Sequence, residues 1–330
     1  MEVWNVILGV DVSKKTLDIC CAARKLFIRI DNNNEGFSNF KKWCKDNDID
    51  LKHTFVVLEY TGGYEYRFIQ FCESGGIAYC RVPGLEIKQS LGMVRGKSDK
   101  ADAYRIGRYG EEKIKRLEPS RHLDPSIIEL KKLLSFRKRL VRESAGYAST
   151  IKERKHMYQV GEKDLIIHIS KRKIAANKRD IEKLEARIME LIKSNAAMLL
   201  NYRIITSIKG IGPVNAWMTI AYTENFTSFP GGRHYAVFVG VVPFEHTSGT
   251  SIKGKRRTSH LAHKELKQEL NMAGRTAMAH DPEISAYAER KLKNKEYKLV
   301  LNNVKFKLIL RMFALVKRGE MYVENYKRSA

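Results

Sequence analysis

One short run, Ile7-Leu8-Gly9-Val10-Asp11, constrains this chain more than any other. Its apolar residues read as a buried strand, and a carboxylate closes it. A charge at the end of such a strand costs free energy unless something offsets it. A bound Mg²⁺ would do so, and so would hydrogen bonds from a neighbouring loop. The pattern returns in Thr54-Phe55-Val56-Val57-Leu58-Glu59. Two strands that each end on an acid can meet at one edge of a sheet.

The flanking sequence supplies the rest of such a sheet. Val3 to Val12, Thr16 to Ala22 and Lys25 to Ile30 read as three strands in a meander, with Asp31-Asn32-Asn33-Asn34 as turn material. Phe37, Phe40, Trp43 and Cys44 recur at helical spacing. After the Glu59 strand come the loop Tyr60-Thr61-Gly62-Gly63, a helix from Tyr64 to Ser74, and a fifth strand from Ile77 to Val82. Three antiparallel strands followed by alternating helices and strands is the element order of an RNase H-like α/β fold. Ser98 can cap a helix whose first turn carries Asp99 and Asp102, three apart and therefore on one face.

Asp11, Glu59, Asp99 and Asp102 thus form a candidate constellation. Two-metal phosphodiester chemistry needs several converging carboxylates, because two divalent cations must be held about 4 Å apart. Mg²⁺ prefers oxygen ligands and keeps several waters, so few protein ligands suffice. Each acid alone has an ordinary reading as a cap, a solvated surface group or an ion-pair partner.

Charge identifies the partner class. The 330 residues carry 61 Lys and Arg against 37 Asp and Glu, a net charge of +24. A polyanion is the expected partner, nucleic acid before a membrane surface. No apolar run is long enough to span a bilayer. Met1-Glu2-Val3-Trp4-Asn5 lacks the basic start of a signal peptide, so a cytoplasmic, nucleoid-associated protein is expected. The five cysteines (Cys20, Cys21, Cys44, Cys72, Cys80) lie mostly in apolar segments without Cys-x-x-Cys spacing, which suits buried reduced thiols.

From about Ser126 to Leu200 the chain reads as long basic helices, a coiled-coil arm. Ile127, Leu130, Leu133, Leu134 and Leu140 form one apolar stripe; Ile174, Ile181, Leu184, Ile188, Leu191 and Ile192 form another near heptad spacing. Ile204 to Val214 is similar to a helix-hairpin-helix, with Gly210-Ile211-Gly212 as the turn. Such a turn can offer backbone N–H groups to a phosphate, and serves equally as a simple helix–helix connection. Tyr235 to Val242 is a short apolar element. Pro243 to Thr250 reads as a loop in which Ser248 precedes Gly249, and Ile252-Lys253-Gly254-Lys255-Arg256-Arg257 is a dense basic run. A serine beside a glycine, with arginines to clamp a phosphate, suits nucleophilic attack at phosphorus. Thr247 and Ser251 are equally placed by chemistry. His246, His260 and His263 lack the spacing of a metal cluster and read as exposed or nucleic-acid-facing. Helices close the chain from about Leu261, Pro282 and Leu299.

With these motifs on the page, the chain resembles the IS110/IS1111 family of transposases, which also includes the invertase Piv. The resemblance rests on Gly9-Val10-Asp11-Val12-Ser13-Lys14, Glu59-Tyr60-Thr61-Gly62-Gly63-Tyr64 and Lys97-Ser98-Asp99-Lys100-Ala101-Asp102-Ala103. Further along, Ile208-Lys209-Gly210-Ile211-Gly212, Phe229-Pro230, Gly240-Val241-Val242-Pro243 and Ser248-Gly249 also match. The family often has Lys-x-Gly-Asn-x-x-Leu-Arg after the basic run. Here His260 to Lys267 stands there, and Lys267 lacks the fork of an arginine.

The resemblance implies a RuvC-like DEDD catalytic domain over 1–122, a helical region over 123–200 and a C-terminal transposase domain over 201–330. It implies that Asp11, Glu59, Asp99 and Asp102 hold Mg²⁺, with Mn²⁺ as an alternative, and that Ser248 forms a covalent phosphoserine link to DNA. Lys14, Arg95, Lys97, Lys209, Gly210, Gly212, Lys253, Lys255, Arg256 and Arg257 are the expected nucleic-acid contacts. The implied partners are double-stranded donor and target DNA, a guide (bridge) RNA and further copies of the chain, as dimers assembling to tetramers. The competing activities are a RuvC-like structure-selective endonuclease that cuts by water attack and a site-specific invertase without an RNA guide.

Overall fold

The computed structural model describes residues 4–90, 98–120, 122, 124–248, 252–258 and 262–324; of 244–257 only the strand backbone is described. Met1–His122 and Leu123–Ala330 form two compact units.

The first unit is a mixed α/β layer structure. Its strands are β1 (Val6–Val12), β2 (Thr16–Cys21), β3 (Leu26–Asp31), β4 (Thr54–Glu59) and β5 (Ala78–Val82). Its helices are α1 (Asn34–Asp46), α2 (Tyr66–Ser74), α3 (Gly84–Ser90) and α4 (Asp99–Lys113). The sheet order is β3-β2-β1-β4-β5. The first three strands form an antiparallel meander, and β4 and β5 join parallel to β1. β1 is central and buried on both faces, which is why it reads as an unbroken apolar run.

One face of the sheet is covered by aromatics from α1 and α2. Phe37, Phe40, Phe68 and Phe71 pack with ring centroids 5.0–6.0 Å apart. On the other face, Ile106 and Tyr109 of α4 pack on Phe55, Val57 and Val82. All five cysteines are buried thiols outside any disulfide.

The second unit is mostly helical. It comprises α5 (Pro125–Met157), α6 (Leu165–Ser194), α7 (Ala196–Thr206), α8 (Pro213–Tyr222), α9 (Gly232–Val239), α10 (Lys264–His280), α11 (Pro282–Leu292) and α12 (Tyr297–Arg318), with one hairpin, β6 (Pro243–Ser248) and β7 (Ile252–Thr258). α5 and α6 pack along one another, tied by Arg137–Glu185 and Arg154–Asp164 ion pairs of 2.7 Å. Between them Asn177 is buried and donates to the hydroxyl of Ser144 at 3.2 Å. The base of this helix pair joins the main core, where Ile127, Leu130, Ile188 and Ile192 meet Trp217, Tyr235 and Leu308. Asp124, Asp164, Asn195 and Asp281 cap four of the helices through side-chain oxygens. No helix among the described residues is long and apolar enough to cross a membrane.

Two local expectations are corrected. Pro243–Ser248 is a strand, not a loop: its backbone pairs with β7, so neither strand needs an apolar face to be held in place. His263 is not exposed. Its ring packs on Tyr222 at 4.5 Å, and its Nδ1 accepts the Leu266 N–H as the cap of α10. Burial pushes its pKa below the usual histidine range, which keeps the ring neutral and able to accept.

A carboxylate cluster at the strand ends of the first unit

Two strands and one helix deliver four acids to one end of the sheet. β1 carries Asp11 next to its last residue, and the parallel register that pairs Val10 with Leu58 sets Glu59 beside it. α4 begins where Ser98 accepts the Ala101 N–H at 3.2 Å, which places Asp99 and Asp102 in the first helical turn. The helix dipole favours acids there.

Glycine lets α4 reach the sheet. A Cβ on Gly9 would lie 2.1 Å from the Gly107 nitrogen and 2.4 Å from the Ala103 carbonyl oxygen, so helix and strand backbones touch directly. Gly84 plays a related part for Glu59, since a Cβ there would fall 1.8 Å from Glu59 Oε1. Any side chain at 84 would displace that carboxylate.

The electrostatics follow from this crowding. The pKa of Asp11 is raised to about 6, first by burial and then by Asp102, Asp99, Asp18 and Glu59. No side-chain hydrogen bond or ion pair joins the carboxyl of Asp11 or Glu59 to another described residue. The helix acids are occupied. Asp99 accepts from Arg29 Nη2 at 2.7 Å, and Asp102 accepts from Arg105 at 2.6 Å. As these side chains stand, no three His, Cys, Asp or Glu of the described residues form a metal-binding group. The donor set itself fits a hard divalent cation: every group is a carboxylate oxygen, and Asp102, Asp99, Asp18 and Glu59 all act on Asp11.

Sequence reasoning missed Asp18 and Arg29. Asp18 faces Asp11 across β1–β2 and Arg29 across β2–β3. It is 2% exposed, and both its oxygens accept from Arg29, at 2.9 and 3.2 Å from Nε and 3.1 Å from Nη2. The available signal was an acid inside the otherwise apolar run Thr16-Leu17-Asp18-Ile19-Cys20.

The remaining candidates are dispersed. Lys14 is exposed in the β1–β2 turn, while Arg95 and Lys97 lie outside the described residues. In the second unit, Ser248 closes β6 and pairs with Ile252; Lys253, Lys255, Arg256 and Arg257 all belong to β7. Lys209 pairs with Glu324 at 3.4 Å. Gly210 has φ +96°, and a Cβ there would lie 2.5 Å from the Ala273 carbonyl, so packing on α10 already accounts for it. Gly212 faces open space and precedes α8.

The base of the hairpin is pinned by groups not singled out from the sequence. Lys267 Nζ donates to Thr258 Oγ1 at 3.1 Å, and Asn302 donates to the Val241 carbonyl at 2.6 Å. Lys305, 4% exposed, donates to Asn271 at 2.9 Å; burial and the nearby Lys267 push its pKa down to about 8. No carboxylate among the described residues pairs with Lys267 or Lys305.

An IS110 DEDD transposase family model matches residues 8–159, and a model of the IS116/IS110/IS902 transposase family matches residues 202–289. The chain is 26% identical over 327 residues to the pilin gene-inverting protein of Moraxella lacunata, covering 96% of this chain and 97% of that protein. The Moraxella bovis protein of the same name matches equally. A 43.6 kDa protein of insertion element IS110 from Streptomyces coelicolor is 27% identical over 140 residues, 42% of this chain and 33% of its own length. Both ends of the chain carry the marks of one lineage: the protein belongs to the IS110 family of transposases.

Proposed function

We propose that the protein is an RNA-guided DNA recombinase whose first unit is RNase H-like and binds Mg²⁺ or Mn²⁺. The observation that carries the reading is Asp11, an acid with four acidic neighbours and no basic partner among the described residues. Asp11, Glu59, Asp99 and Asp102 would hold the cation. Bound there, it would supply Lewis-acid stabilisation of charge on the scissile phosphate.

The chain's own groups do the rest. Ser248 Oγ attacks phosphorus, a P–O bond to the serine forms, and the bond to one deoxyribose oxygen breaks as that oxygen takes a proton. Attack by a second strand's hydroxyl on the phosphoserine reverses the step and frees the serine. Phosphodiester energy is thereby kept through strand exchange, which hydrolysis would lose. Lys253, Lys255, Arg256 and Arg257 on β7 neutralise backbone phosphates, as do Lys14, Arg95 and Lys97. The α5–α6 arm, read as a coiled coil, would join copies into dimers and tetramers.

The test is a covalent-adduct assay on cognate DNA. Wild-type protein is expected to leave a denaturation-resistant protein–DNA band, Ser248→Ala none, and Asp11→Asn none despite intact DNA binding. An adduct in Ser248→Ala would remove the serine role and favour water attack. A second reading, a DNA invertase without a guide, draws on the likeness to the pilin gene-inverting proteins over nearly the whole chain. RNase treatment separates the two: loss of activity that defined RNA restores supports guidance, and unchanged activity supports the invertase.

A further inference from the structure

We propose that Arg29, anchored by Asp18, is a positioning residue that competes with the divalent cation for Asp99. The inference rests on the cation reading of the same site and goes beyond it by assigning the group that controls loading.

Three observations support it. First, Asp18 is built to hold Arg29 and little else. It is buried beside Asp11, and the Arg29 guanidinium lies fork-on across both its oxygens. Second, the same Nη2 that touches Asp18 reaches Asp99 Oδ2 at 2.7 Å. Arg29 therefore ties the sheet to the first turn of α4 through one of the acids that would bind the cation. Third, the Asp99 side chain is 63% exposed, so it has room to exchange partners, whereas Asp102 is held by Arg105 from its own helix. With Asp99 on Arg29, the described residues present no three-acid metal group. A cation that uses Asp99 Oδ2 then has to displace the guanidinium from it. Arg29 sets how much cation that exchange takes, while Asp18 keeps the displaced guanidinium from following Asp99 inward.

The probe is Tb³⁺, titrated into the full chain without DNA and read by tyrosine-sensitised emission, with Mg²⁺ as competitor. Wild-type protein is expected to show saturable binding that Asp11→Asn abolishes. Arg29→Gln is expected to bind on the order of tenfold tighter, because an opposing unit charge in direct contact with a ligand acid is gone. A structural defect would weaken binding, so the direction of change separates the two. Arg29→Lys, which keeps the charge, stays near the wild-type affinity. Lys100→Gln removes one charge from α4 without touching Asp99, its ammonium lying 5.0 Å over the Phe27 ring, and should tighten binding far less. Where Arg29→Gln leaves Asp18 too exposed to its own charge to fold, Asp18→Asn/Arg29→Gln compared with Asp18→Asn reads the same tenfold gain. Equal tightening by Lys100→Gln, or unchanged or weaker binding in both Arg29 backgrounds, overturns the inference and leaves the cation site standing. Absence of any Asp11-dependent Tb³⁺ binding in wild type overturns both.

Discussion

Each unit of this molecule buries a charge beside others of its own sign, and the signs are opposite. In the first, Asp11 sits among four acids at the ends of sheet strands. In the second, Lys305 lies against α10 near Lys267, with Asn271 as a neutral partner. The settings differ in what fixes them. Asp11 is held by backbone pairing on both sides and by a helix that touches its strand through glycine. Lys305, on α12, is held against α10 by its bond to Asn271 and by its stem beside Gly274. A site set by backbone register keeps its geometry when surrounding side chains change; one set by packing shifts with them.

The sharpest way to break the contrast is at glycine. Gly9→Val should destabilise the first unit by about 3 kcal/mol or more, since backbone atoms of α4 have no rotamer to yield. Gly212→Ala, facing open space in the second unit, should change stability by less than about 0.5 kcal/mol. Chemical denaturation measures both, and a comparable loss at Gly212 would erase the distinction.

Titration comes next. Asp11 has a folded pKa of about 6 against an ordinary 3.8, so the folded chain keeps its proton longer than the unfolded one. Stability contributed by Asp11 is therefore lost as pH rises from about 4 through 6, and the deficit persists above. Asp11→Asn should raise stability at pH 7.5 by about 1–2 kcal/mol after allowance for solvent screening, and by nothing below pH 4. Lys305 behaves oppositely. Its folded pKa of about 8 lies below the ordinary 10.5, so the unfolded chain holds more protons between those values, and stability rises with pH across that window. Lys305→Met should stabilise by about 1 kcal/mol at pH 7, with the gain fading above pH 10. Melting curves from pH 4 to 10.5 read both slopes; slopes of the same sign would contradict the assignment.

The smallest effect lies on the hairpin. Lys253→Ala should weaken DNA binding equally across sequences and reduce the slope of log affinity against log salt by about 1. Binding titrations at four salt concentrations suffice, and an unchanged slope would remove Lys253 from the phosphate contacts.

How much could be read beforehand differs between the units for a physical reason. Asp11 and Glu59 stand out because an acid ends an apolar strand, and Asp99 with Asp102 because Ser98 announces a helix start. Asp18 and Arg29 were hidden, since their significance lies in cross-strand pairing that a linear sequence does not display. Ser248 reads as a loop residue because Lys253-Gly254-Lys255-Arg256-Arg257 has no apolar alternation, and periodicity detects a strand only when one face is buried. Lys305 is concealed for the converse reason: with Lys298 and Lys307 nearby in α12 it reads as one more solvated position, yet it is covered by α10.

The backbone contact between Gly9 and Gly107 has a mechanical outcome. Where two main chains meet without intervening side chains, sliding or rocking of one segment on the other has almost no compliant layer to absorb it. Thermal jitter at the helix start is then transmitted to β1 nearly undamped, so Asp102 and Asp11 move as parts of one rigid piece. Whatever distance separates those two carboxyls is a dimension of the scaffold, insulated from drift in the residues that decorate it.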